Sequence, residues 1–264
     1  MATDLATYVA AFSDTWCGLA SACAGLTEAE WDTPTDLPGW SVKDNVSHVV
    51  GVELLMLGEP FPSHDLPESL PHVRNDAGRF MEVAVDLRRS VPGAAVLAEL
   101  TDVTERRLKA LRALSDADLD AEVPSFFNGR PVVLRHTLAI RVFDCWAHEQ
   151  DVRRALGRPG GLTSVAARLS RRRLLLGLSR SLSVGAGRVV VVETTGALPS
   201  VATLTIGSSY EDVDTPDADA RLTMDFETFV RLGCGRASYP AVPVAIEGDA
   251  ALAEAVLGDF AVTP

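Results

Sequence analysis

Apolar residues return every three or four positions through most of the first 157 residues, and prolines and glycines cut this rhythm into separate helices. The first covers roughly residues 4 to 25, with Leu5, Val9, Phe12, Trp16 and Leu19 on one stripe. "TPTDLPGW" then breaks the chain with two prolines and a glycine. Ser41 reads as an N-cap, Asp44 three positions on completes a capping box, and a helix follows through "VKDNVSHVVGVELLML". A third helix is expected over about 74 to 89, ended by Pro92 and Gly93. A fourth runs over about 94 to 114, where Leu97, Leu100, Val103, Thr104, Leu108 and Leu111 keep helical spacing. Pro131 is placed in the first turn of the last long helix, which stops at Gly157. The expected architecture is an antiparallel bundle of four principal helices.

After "LGRPGGLTS" the period changes. One more helix, about 163 to 183, precedes β-branched runs at 188 to 193 and 201 to 206, and then "ADARLTM" at 218 to 224. A short helix from Asp225 to Leu232, the strand "VPVAIEG" and a final helix from Asp249 to Leu257 complete an α+β region. The chain is therefore read as α then α+β, with a helical bundle over residues 1–157 and a smaller domain over 158–264.

Composition narrows the function classes. Among 264 residues, 24 Lys and Arg stand against 36 Asp and Glu, a net charge of −12 that does not favour nucleic acid. Four cysteines, Cys17, Cys23, Cys145 and Cys234, form no CxxC pair, and "MATDLATYVAAF" lacks the basic region and long apolar core of a signal peptide. No apolar run approaches the roughly 20 residues that span a bilayer. A cytoplasmic protein with reduced thiols and no membrane association is expected, as a monomer or homodimer.

Chemistry concentrates in "RVFDCWAHEQDVRR", residues 141 to 154. At helical spacing, Arg141, Asp144, His148 and Asp151 fall in one column, where side chains one turn apart can share a cation. Taken alone, the spacing favours a solvated face laced by arginines over a metal site. His48 is the best third ligand within the chain, lying mid-helix between polar Asp44 and Asn45 on one side and small Gly51 on the other; its alternative is a hydrogen-bonded, half-buried histidine. His64, His72 and His136 read as surface residues, and Cys145 as a small buried residue. Two imidazoles and one carboxylate suit zinc or a similar divalent metal and leave a coordination position open. Asp151, one turn beyond His148, is placed to orient a histidine or position a proton. Arg236, in the glycine-flanked turn of "RLGCGRASYP", is either a functional guanidinium or a surface arginine. The signatures G-x-S-x-G, GxGxxG, HExxH and the P-loop are all missing.

"WDTPTDLPGWSVKDNVSHVVGVE" and "RVFDCWAHEQDVRRALGRPGG" resemble two signatures of the mycothiol-dependent maleylpyruvate isomerase family. "DFETFVRLGCGRASYPAVPVAIEGDAALAEAVLGDFAVTP" is similar to that family's C-terminal domain. The resemblance implies a DinB-like metal-binding bundle followed by a sterol-carrier-protein-like α+β domain. It implies a divalent metal, usually zinc, on His48, Asp144 and His148; where the family's acid can be glutamate, this chain carries the shorter aspartate. It further implies that Asp151 and Arg236 help bind or position the thiol.

By the same resemblance the cosubstrate is mycothiol, the low-molecular-weight thiol of actinobacteria, whose thiolate adds to a small-molecule electrophile. If the thiol is expelled after rotation, the outcome is cis–trans isomerisation of a maleylpyruvate-type substrate. If it stays attached, the enzyme is a mycothiol S-transferase in detoxification or natural-product biosynthesis. Two other classes stay open: a non-catalytic small-molecule or lipid-binding protein, and a metal-dependent hydrolase that needs no thiol.

Overall fold

Asp4 starts the first helix by accepting a hydrogen bond from the Thr7 amide at 2.8 Å, and α1 runs Leu5–Cys23. In this computed structural model, which describes residues 3–125 and 129–263, the chain divides into two compact units, Met1–Gly161 and Leu162–Pro264. The first unit continues with a one-turn helix α2 (Glu28–Trp31) opened by a Thr27–Glu30 capping box that the apolar rhythm does not reveal. α3 (Val42–Met56) begins as read, with Ser41 and Asp44 bonding each other's backbone. α4 (Asp76–Asp86) and α5 (Gly93–Arg112) follow. Two short strands, β1 (Glu122–Pro124) and β2 (Pro131–Val133), then form an antiparallel ribbon before α6 (Leu134–Ala155).

That ribbon corrects the reading of Pro131 as a helix opener. Pro131 lies opposite Pro124 at the end of the ribbon, where a residue without an N–H costs no ladder bond, and α6 begins three residues later.

Four long helices close a ring: α1 packs against α5 and α6, and α3 packs against α5 and α6, while α4 lies along α3. Of the stripe foreseen on α1, Phe12, Trp16 and Leu19 are buried, the first two stacked at 4.7 Å, while Leu5 and Val9 are half-buried. Each such side chain contributes roughly 1.5–3 kcal/mol by leaving water. Gly51 explains how α4 comes so close to α3, because a Cβ there would stand 2.3 Å from the Ala84 Cβ.

The second unit opens with α7 (Val165–Ser181), capped by Ser164. Strands β3 (Val189–Thr195), β4 (Ser200–Thr205), β5 (Ser209–Glu211) and β6 (Ala220–Asp225) are followed by α8 (Phe226–Gly233), β7 (Ala245–Gly248) and α9 (Ala250–Gly258). They form one sheet in the order β5-β4-β3-β6-β7, in which β3 and β6 run parallel and the other pairs antiparallel. Central β3 is buried on both faces at Val190, Val191 and Val192, which is why its apolar run is continuous. Its neighbour β6 alternates, with Ala220, Leu222 and Met224 buried. The expected class, a helical bundle followed by an α+β region, is the one found. Among the described residues, no helix is long and apolar enough to cross a membrane.

Candidate metal centre

α3 is buried continuously from Val42 to Glu53 although it carries Lys43, Asp44, Asn45, Ser47, His48 and Glu53. α6 is buried continuously from Cys145 to Val152. So much polarity inside a bundle needs partners; α3 and α6 supply some to each other, and Arg89, Arg107 and Arg154 supply others. His48 Nε2 lies 3.2 Å from Asp144 Oδ2, and His148 Nε2 lies 3.6 Å from Asp144 Oδ1. Ligand atoms of His48, Asp144 and His148 all lie within 4.8 Å of one another. The imidazoles are about 7% exposed and Asp144 28%, so the carboxylate marks the open side. The column on α6 faces inward rather than into water.

A buried charge relay backs the carboxylate. Glu53, fully buried, accepts from Arg107 Nε at 2.7 Å and from Arg141 Nη2 at 2.8 Å, and Arg141 Nη1 donates in turn to Asp144 Oδ2. Burial alone would raise the Glu53 carboxyl, but Arg141 and Arg107 hold it below its usual 4.5. Burial likewise opposes ionisation of Asp144, yet Arg141, then His48 and His148, keep it well below 3.8. Burial is the largest influence on His48 and lowers it below 6.5 despite Asp144, so its ring stays neutral and able to ligate near pH 7.

The turn between α2 and α3 roofs the pair. Trp40 lies with its ring 5.2 Å from that of His48 and 5.6 Å from that of His148, and its Nε1 donates to Glu82 at 2.9 Å. Glu82 is itself buried against Arg89, at 2.6 Å, and His72, at 3.1 Å. On the far side, Asn45 Oδ1 lies 2.7 Å from His148 Nδ1, while Asn45 Nδ2 donates to the Ser41 carbonyl at 2.9 Å and to Thr35 Oγ1 at 3.2 Å. His48 Nδ1 is buried with no hydrogen-bond partner among the described residues.

Two imidazole nitrogens and a carboxylate oxygen converging on one point form a donor set that fits a zinc-like cation, with Asp144 the most exposed of the three. Asp151 is buried, paired with Arg154, and its Oδ2 lies 3.7 Å from His148 Nδ1, on the opposite side of that ring from the ligand cluster. Arg236 belongs to the second unit, half-buried after Gly235 (φ +65°), with its Nη1 donating to the Cys234 carbonyl at 2.7 Å. Cys145 is buried as expected, and burial pushes its thiol far up, but it sits beside Arg141 and Glu53 rather than among apolar groups alone. His64 and His72 are not the surface residues expected. His64 bonds Asp86 at 2.7 Å and His72 lies against Glu82, tying their loop to α4, whereas His136 is exposed. Glu53, Asn45 and Trp40 were not foreseen as parts of the centre. Their signal was local: a charge inside "VVGVELLML", a polar residue one turn before His48, and an aromatic next to the N-cap.

Comparison with known proteins adds an independent observation. The family model described as Mycothiol maleylpyruvate isomerase N-terminal domain matches residues 12–153. Over almost its whole length the chain is similar to a crystal structure of the mycothiol-dependent maleylpyruvate isomerase, at 18% identity and TM-score 0.60, with 93% of each chain covered. It is also similar to the structure of a single-substitution mutant described under the same enzyme name, at 17% identity and TM-score 0.57, covering 89% of this chain and 90% of that one. At these identities the likeness is one of fold. No curated protein matches the chain.

Proposed function

The chain belongs to the mycothiol maleylpyruvate isomerase family, and from that premise we propose a divalent-metal-dependent enzyme that uses mycothiol against a small electrophile, with maleylpyruvate-type cis–trans isomerisation as its reaction. The observation that carries this reading is the convergence of His48, Asp144 and His148 within 4.8 Å at a partly open position inside the bundle. His48 and His148 would hold the cation, zinc by the chemistry of the set, together with Asp144. Bound there, the cation would favour the thiolate over the thiol at neutral pH, supplying a nucleophile that no protein cysteine provides.

The chain's own groups set the surroundings. Arg141 keeps Asp144 ionised and fixes its direction. Trp40 covers the imidazoles and limits water on that side. Asp151, behind His148, and Arg236 help bind or position the thiol cosubstrate in this proposal. Isomerisation returns the thiol after rotation and expulsion; S-transfer consumes it. The fate of mycothiol therefore separates the two reactions.

The test begins with metal analysis of the purified protein beside His48→Ala and Asp144→Ala. About one equivalent of zinc, lost in both variants, is expected. Thiol-dependent conversion of maleylpyruvate with no net loss of mycothiol should accompany it. A wild-type protein that holds no zinc after zinc is supplied overturns the reading. Zinc-dependent turnover that ignores the thiol would point to hydrolysis instead.

A further inference from the structure

The environment of His148 is asymmetric in a way that decides where its proton sits. In a neutral imidazole one nitrogen donates and the other accepts. Facing His148 Nδ1 at 2.7 Å is the side chain of Asn45, which is completely buried. Which end of the Asn45 amide faces the ring is settled by its other partners. The Ser41 carbonyl, 2.9 Å away, can only accept, so it must meet the NH2 group. The same NH2 reaches Thr35 Oγ1 at 3.2 Å, and that hydroxyl has its own hydrogen directed to the Trp40 carbonyl at 2.9 Å. A one-way chain of donors thus runs from Asn45 through Thr35 to the turn, leaving only the amide oxygen for His148.

We infer that Asn45 is a positioning residue: held by the Thr35–Trp40 turn, it fixes His148 as the Nδ1–H tautomer, so that the Nε2 lone pair points into the cluster before any cation arrives. The inference rests on the proposed metal reading and deepens it. Its consequence is electrostatic. The His148 Nε2 lone pair then faces the Asp144 carboxylate oxygen across 3.6 Å, acceptor against acceptor, an arrangement that a cation relieves and a proton on Nε2 would otherwise remove. Asn45 denies that second option to the neutral ring, whose one proton it keeps on Nδ1. The turn can serve as an anchor because its backbone is closed independently: Thr35 N donates to the Trp40 carbonyl at 3.0 Å, Trp40 N to Leu37 at 3.1 Å, and Val42 N to Thr33 at 3.0 Å. Asp151, whose Oδ2 stands 3.7 Å from the same Nδ1, is the competing explanation for any preference of the ring.

Imidazole 15N shifts of the metal-free, full-length protein above neutral pH, assigned by their loss in His148→Ala, read the tautomer directly. Nδ1–H is expected for His148, and Nε2–H would overturn the inference whatever the variants do. Zinc affinity is then measured by chelator competition for wild type, Asn45→Ala and Asn45→Asp. Removing the acceptor should mix the tautomers and weaken zinc by about 10–100-fold, the usual effect of losing a group that orients a metal-ligating histidine. The aspartate keeps an acceptor and should keep the Nδ1–H signature. Asn45→Ala with wild-type shifts and affinity assigns the ring to Asp151 and sinks the inference; Asn45→Asp with the mixed tautomers of the alanine variant sinks it too, because an acceptor at this position would then not hold the proton. Failure of the metal reading looks different, because wild type itself would then bind no zinc in the same titration.

Discussion

Glu53 is the residue whose loss should do the most damage without touching a ligand. Its carboxylate is fully buried between two guanidiniums that are only 3% and 6% exposed, those of Arg141 and Arg107. Glu53→Gln keeps the shape and removes the charge, leaving Arg107 without its carboxylate and Arg141 with Asp144 alone in the bundle interior. Breaking a buried pair from one side costs about 3–5 kcal/mol, because the remaining charge is uncompensated. At about 2–4 °C per kcal/mol for a unit of this size, the melting temperature should fall by on the order of 10 °C. Urea denaturation followed by circular dichroism measures the loss, and an unchanged slope would show that the same surface is exposed on unfolding. A double-mutant cycle with Arg107→Met sharpens the test: the double variant should lose less than the sum of the singles, by about 0.5–3 kcal/mol. The pH dependence carries a sign as well. Since the Glu53 carboxyl lies lower in the folded protein than its ordinary 4.5, its stabilisation is complete above that value and disappears as pH falls through the folded one. Wild-type stability should therefore rise with pH along the acid limb, and Glu53→Gln should flatten that rise. A loss below about 1 kcal/mol would refute the reasoning, since desolvated charges of this kind do not go unbalanced so cheaply.

Three further outcomes are expected. Gly51→Ala should destabilise the protein although alanine is the better helix former by about 1 kcal/mol, because its Cβ would meet that of Ala84; overpacking costs about 1–3 kcal/mol, and a raised melting temperature would contradict the close approach of α3 and α4. Zinc should change tryptophan emission through Trp40, and Trp40→Phe should abolish most of the change while keeping the zinc stoichiometry; an undiminished response would place the reporter at another tryptophan. Arg236→Ala should retain its metal and show weaker thiol-dependent turnover with a raised KM for mycothiol, whereas normal turnover removes Arg236 from the site.

What the sequence disclosed and what it withheld divide along one physical line. Caps and single-helix columns are local, so the Ser41–Asp44 box and the column of α6 could be read from neighbours three and four positions apart, whereas the inward direction of that column followed only from the family resemblance. Apart from the joining of His48 to Asp144 and His148, which the family resemblance implied, long-range partnerships were not legible. Glu53 looks like a stray charge in an apolar helix until Arg107, 54 residues away, and Arg141, 88 residues away, are brought against it. The same holds for His64 and His72, whose proline-bearing loop reads as surface until Asp86 and Glu82 of α4 and its flank bind them. Pro131 failed for another reason: a proline at N1 of a helix and a proline closing a short ribbon leave the same local mark, and only pairing with Pro124 decides.

The charge pattern around the ligands favours the catalytic reading over a purely structural metal. Arg107 and Arg141 stand against Glu53 and Asp144, two positive charges against two negative, and Arg154 stands against Asp151. These six groups alone sum to zero when the imidazoles are left out, and the carboxylate of the cluster is already committed to Arg141. A divalent cation in such a wall would keep most of its charge instead of having it cancelled by the protein. Burying that charge would be costly unless an anion entered from the one side that is open, beside Asp144. A structural site avoids this problem by closing four ligands around the metal, usually with thiolates that neutralise it. Here the balance is left for an incoming ligand to complete, and a thiolate supplies the missing charge as well as the missing ligand. Two imidazoles and an aspartate already paired with an arginine thus support the proposed selection of a thiolate over a metal that only pins the bundle together.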